Sequence, residues 1–130
     1  MRLVALASHT LQAEKVDDEA ELSILLVGPD HIERLNKRFA GDAYATDVLA
    51  FPMMENDENS FLLGDVVICP KVAEANASKL GHSLLEELDT LIVHGTLHLL
   101  GYDHQGPQDK SAMDNRQREV LDSFVPSSTA

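Results

Sequence analysis

Apolar residues recur along this chain with two different periods, and the switches between them divide it into eight segments. Leu3, Leu6, Ala7 and Leu11 fall at helical spacing, which predicts a short amphipathic helix over residues 2–14. An acidic connector follows over 16–20. Residues 22–27 (LSILLV) form a continuous apolar run closed by Gly28-Pro29, the pattern of a buried strand. Pro29 suits the first turn of a helix, and over 30–39 Ile32, Leu35, Asn36 and Phe39 share one face. Gly41 and Asp42 end it.

Residues 48–53 (VLAFPM) predict a second strand. Pro52 has no N–H to give to a ladder, which puts this strand at a sheet edge or ends it. An acidic turn over 55–60 leads to a third strand over 61–69, stopped by Pro70. A helix over 71–80 carries Val72, Ala73, Ala75 and Ala77. Ser83, with Glu86 three residues on, forms a capping box that opens a long helix over 83–100. A last helix over 108–124 points Met113, Val120, Leu121 and Phe124 inward. Strands and helices are mixed without strict alternation. This predicts an α+β fold, a small mixed β-sheet of three to four strands packed by about five helices. A single domain over 1–125 and a flexible tail over 126–130 are expected.

Composition narrows the class. The chain has 130 residues, 44% of them hydrophobic, enough to bury a core within one domain. Cys69 is the single cysteine, so no intrachain disulfide can form, in keeping with a reducing compartment. The most apolar stretch, 84–100, contains acidic residues and two histidines and does not read as a membrane span. The first residues lack the pattern of a signal peptide. A cytoplasmic protein with no membrane partner is expected. The net charge is −12, from 22 acidic and 10 basic side chains. That argues against unspecific nucleic-acid binding, which draws its affinity from basic surface. It leaves room for a local basic groove or a protein partner.

The candidate chemistry lies in His94-Gly95-Thr96-Leu97-His98-Leu99-Leu100-Gly101-Tyr102-Asp103-His104. On a helix, positions i and i+4 lie on one face about 5–6 Å apart at Cβ, so His94 and His98 can converge on one ion. Gly101 stands where the helix must stop, and a glycine accepts the left-handed conformation that reverses the chain. The turn can then return His104 as a third ligand. Three protein ligands leave a fourth position for water, the arrangement of a catalytic zinc site. Two histidines four apart occur by chance on many helices; it is the glycine and the third histidine that turn the pattern towards a metal. The spacing equals that of the metzincin peptidases, except that their general-base glutamate is here Gly95. Asp103 is the remaining candidate for that role, although its plainer role is to orient His104. No catalytic residue is otherwise assigned.

This motif resembles the signature of the YbeY family, the bacterial endoribonucleases called rRNA maturation factors. The likeness extends to Glu21-Leu22-Ser23-Ile24, to Leu35-Asn36, to Thr46-Asp47-Val48-Leu49-Ala50-Phe51-Pro52, to Leu63-Gly64-Asp65-Val66-Val67-Ile68 and to Gly81-His82-Ser83, covering residues from about 20 to 124. The resemblance implies a zinc-type divalent ion on His94, His98 and His104. It implies cleavage of single-stranded RNA, maturation of the 16S rRNA 3′ end, ribosome quality control, and ribosomal RNA and small-subunit ribosome components as partners. Two departures stand out. Where the family has an arginine before Gly41, associated with phosphate contact, this chain has Ala40, and Arg38 points from another helix face. The family's first strand has no counterpart, so either the sheet is one strand smaller or the start is set too late.

Other residues carry two readings each. Thr46 and Asp47 either cap the turn before their strand or face the cleft. His82 either lines the cleft or is a helix-start residue. Asp65 either orients a site residue or bonds within a turn. His9 and His31 are expected on the surface, and Cys69 in the core. Two other functions stay open: a metzincin-like hydrolase of another substrate, which Gly95 argues against, and a non-catalytic ribosome assembly factor with a structural metal. Ala40 and the charge of −12 lean towards the latter. The oligomeric state is not legible.

Overall fold

The computed structural model describes residues 2–17, 19–53, 62–102 and 106–124. Its elements are α1 (Arg2–Ala13), β1 (Glu21–Leu26), α2 (Pro29–Ala40), β2 (Val48–Pro52), β3 (Leu62–Ile68), α3 (Pro70–Leu80), α4 (Leu84–Leu99) and α5 (Pro107–Ser123). Five helices and three strands are thus described, in the order the hydrophobic pattern predicts. The acidic residues 55–60 and the tail 126–130 lie outside the described residues.

The sheet has the order β1-β3-β2. β1 runs parallel to β3, with Leu22 opposite Gly64 and Leu26 opposite Ile68. β2 runs antiparallel to β3, with Val48 opposite Ile68 and Pro52 opposite Gly64. Pro52 therefore ends an edge strand, where its missing N–H costs no ladder bond. One face of the sheet packs on α4, which also contacts α1, α3 and α5. Leu6, Ile92, Val93, Leu97, Val66 and Ile68 form the centre of this core. The opposite face holds a smaller cluster of Ile32, Val67 and Cys69, which fastens α2 to the sheet.

Two apolar segments sit differently from expectation. The run over 22–27 predicts a buried strand, yet β1 is an edge strand with Leu25 and Leu26 exposed at 41% and 48%. Only Leu22 and Ile24 pack against the main core. A continuous apolar run states that both faces are greasy, not that both are covered. Phe39, on the predicted inner face of α2, is 60% exposed. Ile32 and Asn36 take the buried positions of that helix.

The long helix begins as its sequence predicts. The Ser83 hydroxyl accepts from the Glu86 N–H at 3.1 Å, and the Glu86 carboxylate accepts from the Ser83 N–H at 3.2 Å. These bonds to Ser83 hold the Glu86 carboxyl below the ordinary carboxylate value. At the far end Gly101 adopts φ 103°, the conformation that an L side chain resists. Among the described residues no helix is long and apolar enough to cross a membrane.

Candidate metal centre

α4 approaches the sheet closely enough that one of its positions must be glycine. A Cβ placed on Gly95 would lie 2.6 Å from Val66 Cγ1, well inside contact distance. The absent side chain lets the helix rest on β3. The neighbouring histidines are thereby carried to a pocket of about 180 Å³ walled by Val48, Leu49 and Ala50 of β2. His94 and His98 are both half-buried there, their ring centroids 6.0 Å apart.

The tautomer of His98 follows from its partner. Its Nδ1 lies 2.7 Å from the carbonyl oxygen of Tyr102, which can only accept, so Nδ1 carries the hydrogen. The lone pair of the neutral ring is then on Nε2, the atom a metal takes. His94 repeats the arrangement: its Nδ1–H donates to Gln117 Oε1 at 3.2 Å. The Tyr102 carbonyl is aimed back along the helix by the Gly101 turn, in which Tyr102 N–H bonds the Leu97 carbonyl at 3.1 Å.

Tyr102 is itself anchored. Its hydroxyl donates to both carboxylate oxygens of Glu14, each at 3.2 Å. Glu14 also receives the Arg116 guanidinium, whose second nitrogen donates to the Ala13 carbonyl at 2.9 Å. Burial first, and then the Glu14 charge, push the Tyr102 hydroxyl above its usual pKa, so it remains a donor across the neutral range. The bonds to Glu14 raise the Arg116 value further. The chain of contacts thus runs from α1 and α5 through the turn to one imidazole of α4.

The donor set suits a first-row divalent ion: two neutral imidazoles at i, i+4 with Nδ1 occupied and Nε2 carrying the lone pair. Asp103 and His104 lie outside the described residues, and among the described residues no three potential ligands converge.

The remaining candidates divide. Asp47 Oδ1 accepts from the Val48 N–H at 2.8 Å and from Thr46 Oγ1 at 3.3 Å, and its Oδ2 accepts from Asn76 at 3.2 Å. Its carbonyl accepts from the Cys69 N–H at 2.9 Å. Thr46 and Asp47 therefore pin the start of β2, one residue from the pocket wall. Asn36 supports the same loop, donating from its buried amide to the Tyr44 carbonyl at 3.0 Å. His82 lies two residues before α4, whose stretch from Leu84 to His94 alone spans about 15 Å at 1.5 Å rise per residue. Its Nε2 meets the buried Glu87 carboxylate at 2.6 Å. Asp65 opens on the face of the sheet opposite the histidines. His31 is exposed and Cys69 buried, whereas His9 is half-buried, bonded to Ser123 at 2.8 Å and set against Phe124. Gln117 was not singled out in the sequence. Its role arises from α5 packing on α4, for which the local pattern has no signal.

Comparison with known proteins decides the family. The profile of the family described as endoribonuclease YbeY matches residues 2–125. The chain belongs to the YbeY family. Among curated relatives, a Salinispora tropica protein named endoribonuclease YbeY is 45% identical over 134 aligned residues, covering 94% of this chain and 85% of the relative. A Pelotomaculum thermopropionicum protein of the same name is 44% identical over 124 residues, covering 92% and 82%. The solution structure of a Thermotoga maritima protein aligns with a TM-score of 0.66 at 32% identity, covering 93% of this chain and 77% of the other.

Proposed function

We propose that this chain is a metal-dependent endoribonuclease that cleaves single-stranded RNA, with the 3′ end of 16S rRNA as its substrate. Family membership supports the activity. The observation that carries the chemistry is the pair of half-buried imidazoles, 6.0 Å apart, each with Nδ1 committed to an acceptor. In this reading His94, His98 and His104 hold one divalent ion, with zinc as the metal. Such an ion supplies Lewis acidity to a phosphate oxygen and acidifies water.

The chain's own residues do the rest. Tyr102 and Gln117 fix the ring orientations. Val48, Leu49 and Ala50 of β2 wall the pocket. Gly95 offers no proton acceptor and has no room for one. The remaining candidate acceptor is Asp103, and the nucleophile that gives up its proton is either water or the ribose 2′-hydroxyl of the substrate. RNA with a deoxyribose at the cut site separates these: continued cleavage rules out the 2′-hydroxyl route. The reading extends to small-subunit ribosome components as partners, to ribosome quality control and to a cytoplasmic location. It treats residues 1–125 as one domain.

The experiment is cleavage of a 16S rRNA 3′ precursor by the parent protein and by His98→Ala. Cleavage lost in a folded His98→Ala protein supports the reading. Equal cleavage by both points to a contaminating nuclease. No cleavage by either, with or without small subunits, leaves a non-catalytic assembly factor.

A further inference from the structure

The face of the sheet turned away from the histidines is only partly covered. Beside the contact of Ile32 with Val67 and Cys69, the surface opens into a groove of about 350 Å³. One wall is His31, Leu35 and Phe39 of α2; the strands contribute Leu25, Phe51 and Val67. Asp65, on the central strand, is the one acidic group among the lining residues. Phe39 is largely exposed, yet its ring stands edge-on to Phe51 at 5.1 Å, so the aromatic wall is held in place.

The rim of this groove is cationic in a chain of net charge −12. Arg34, Lys37 and Arg38 are the only three successive charged residues in the sequence that are all basic, with no acid between them. All three are exposed, and none forms an ion pair among the described residues. By contrast Arg2, Lys110 and Arg116 are paired with Asp89, Asp114 and Glu14. Helical spacing puts Arg34 and Arg38 on the ridge next to His31, Leu35 and Phe39. The Arg38 guanidinium carbon lies 5.4 Å from the Phe39 ring centre.

A flat ring, an amino donor and an anionic linkage are the three features this surface complements. Aromatic walls stack on a base, a carboxylate accepts from an exocyclic amine, and guanidinium groups take phosphates. Phe51 also belongs to β2, whose Val48, Leu49 and Ala50 line the histidine pocket. A strand bent over the outer edge of β2 touches both sites. We propose that this groove is a subsite for one unstacked nucleobase bearing an exocyclic amino group, its flanking phosphates on Arg34 and Arg38. The proposal rests on the reading of RNA as substrate.

The test is binding of cytidine and uridine oligoribonucleotides of about 16 nucleotides to the full chain, under chelation so that the RNA stays whole. The two pyrimidines differ at the edge Asp65 meets: cytosine donates an amine, uracil presents a carbonyl. Cytidine binds about 10-fold more tightly. Asp65→Asn levels the two, because an amide serves either edge. Arg34→Gln with Arg38→Gln weakens both equally and reduces the slope of log affinity against log salt by about 1.4. Phe39→Ala weakens both about 10-fold. Lys71→Gln with Lys79→Gln, on α3, changes nothing. Equal affinity for the two oligomers, or an unchanged salt slope in the double arginine variant, overturns the proposal. A parent that cleaves RNA yet shows neither effect loses the subsite and keeps the nuclease; one that prefers cytidine yet never cleaves does the reverse.

Discussion

The Tyr102 carbonyl oxygen lies 2.7 Å from Nδ1 of His98, and because a carbonyl only accepts, this one contact decides which nitrogen of the ring carries the hydrogen and which keeps the lone pair. Loosening it therefore acts on ion affinity before it acts on the fold. Tyr102→Phe removes the hydroxyl bonded to Glu14 but keeps the carbonyl. We expect a weaker zinc affinity by calorimetry, with a loss smaller than the roughly 10-fold typical of a direct second partner.

Gln117 is such a direct partner, for His94. Gln117→Ala is expected to weaken zinc binding about 10-fold with little change in thermal stability in chelator. Unchanged affinity would show that the ring is held by other contacts.

Ion binding to the folded state alone raises stability by mass action. Zinc at about 100 times its Kd is expected to stabilise the parent by about 2.7 kcal/mol in denaturant titration, reversed by chelation. His98→Ala is expected to show no such gain. Equal gains in both proteins would place the ion elsewhere.

Gly95 sits 2.6 Å, measured from an added Cβ, from Val66. Gly95→Ala is expected to destabilise by about 1 to 3 kcal/mol through overpacking, read as a lower Tm. A neutral result would mean that α4 can lift off β3 at no cost.

The capping box gives a pH dependence with a definite sign. The folded-state pKa of Glu86 is lowered, chiefly by its hydrogen bonds with Ser83. Its contribution is complete above the ordinary value of 4.5 and fades as the pH falls through the lowered value. Glu86→Gln should therefore differ from the parent at neutral pH and converge on it in acid. Ser83→Ala is expected to cost about 1 kcal/mol at neutral pH.

Much of this was legible in the chain. The element order, the edge position implied by Pro52, the cap at Ser83 and the inward Met113 and Val120 all follow from local pattern. What escaped depends on which surfaces meet. The run over 22–27 is apolar on both sides, but only tertiary packing decides that Leu25 and Leu26 stay exposed. Asp47 reads equally as a cap or a cleft residue until Asn76 of α3 is seen to take its second oxygen. Gln117 and Glu14 are distant in sequence from the histidines they support, directly or through Tyr102, and nothing in their own neighbourhood marks them.

The contact of Gly95 with Val66 reaches beyond stability. A protein engineer who sought to graft a peptidase's glutamate into the second motif position would find the space already filled by the sheet. Exchanging one activity for the other takes more than that one change, because the Val66 side chain on the facing strand must give way as well. Divergence between two hydrolases that share a histidine spacing is in this sense recorded in how a helix packs on a neighbouring side chain, and not only in the identity of a reactive group.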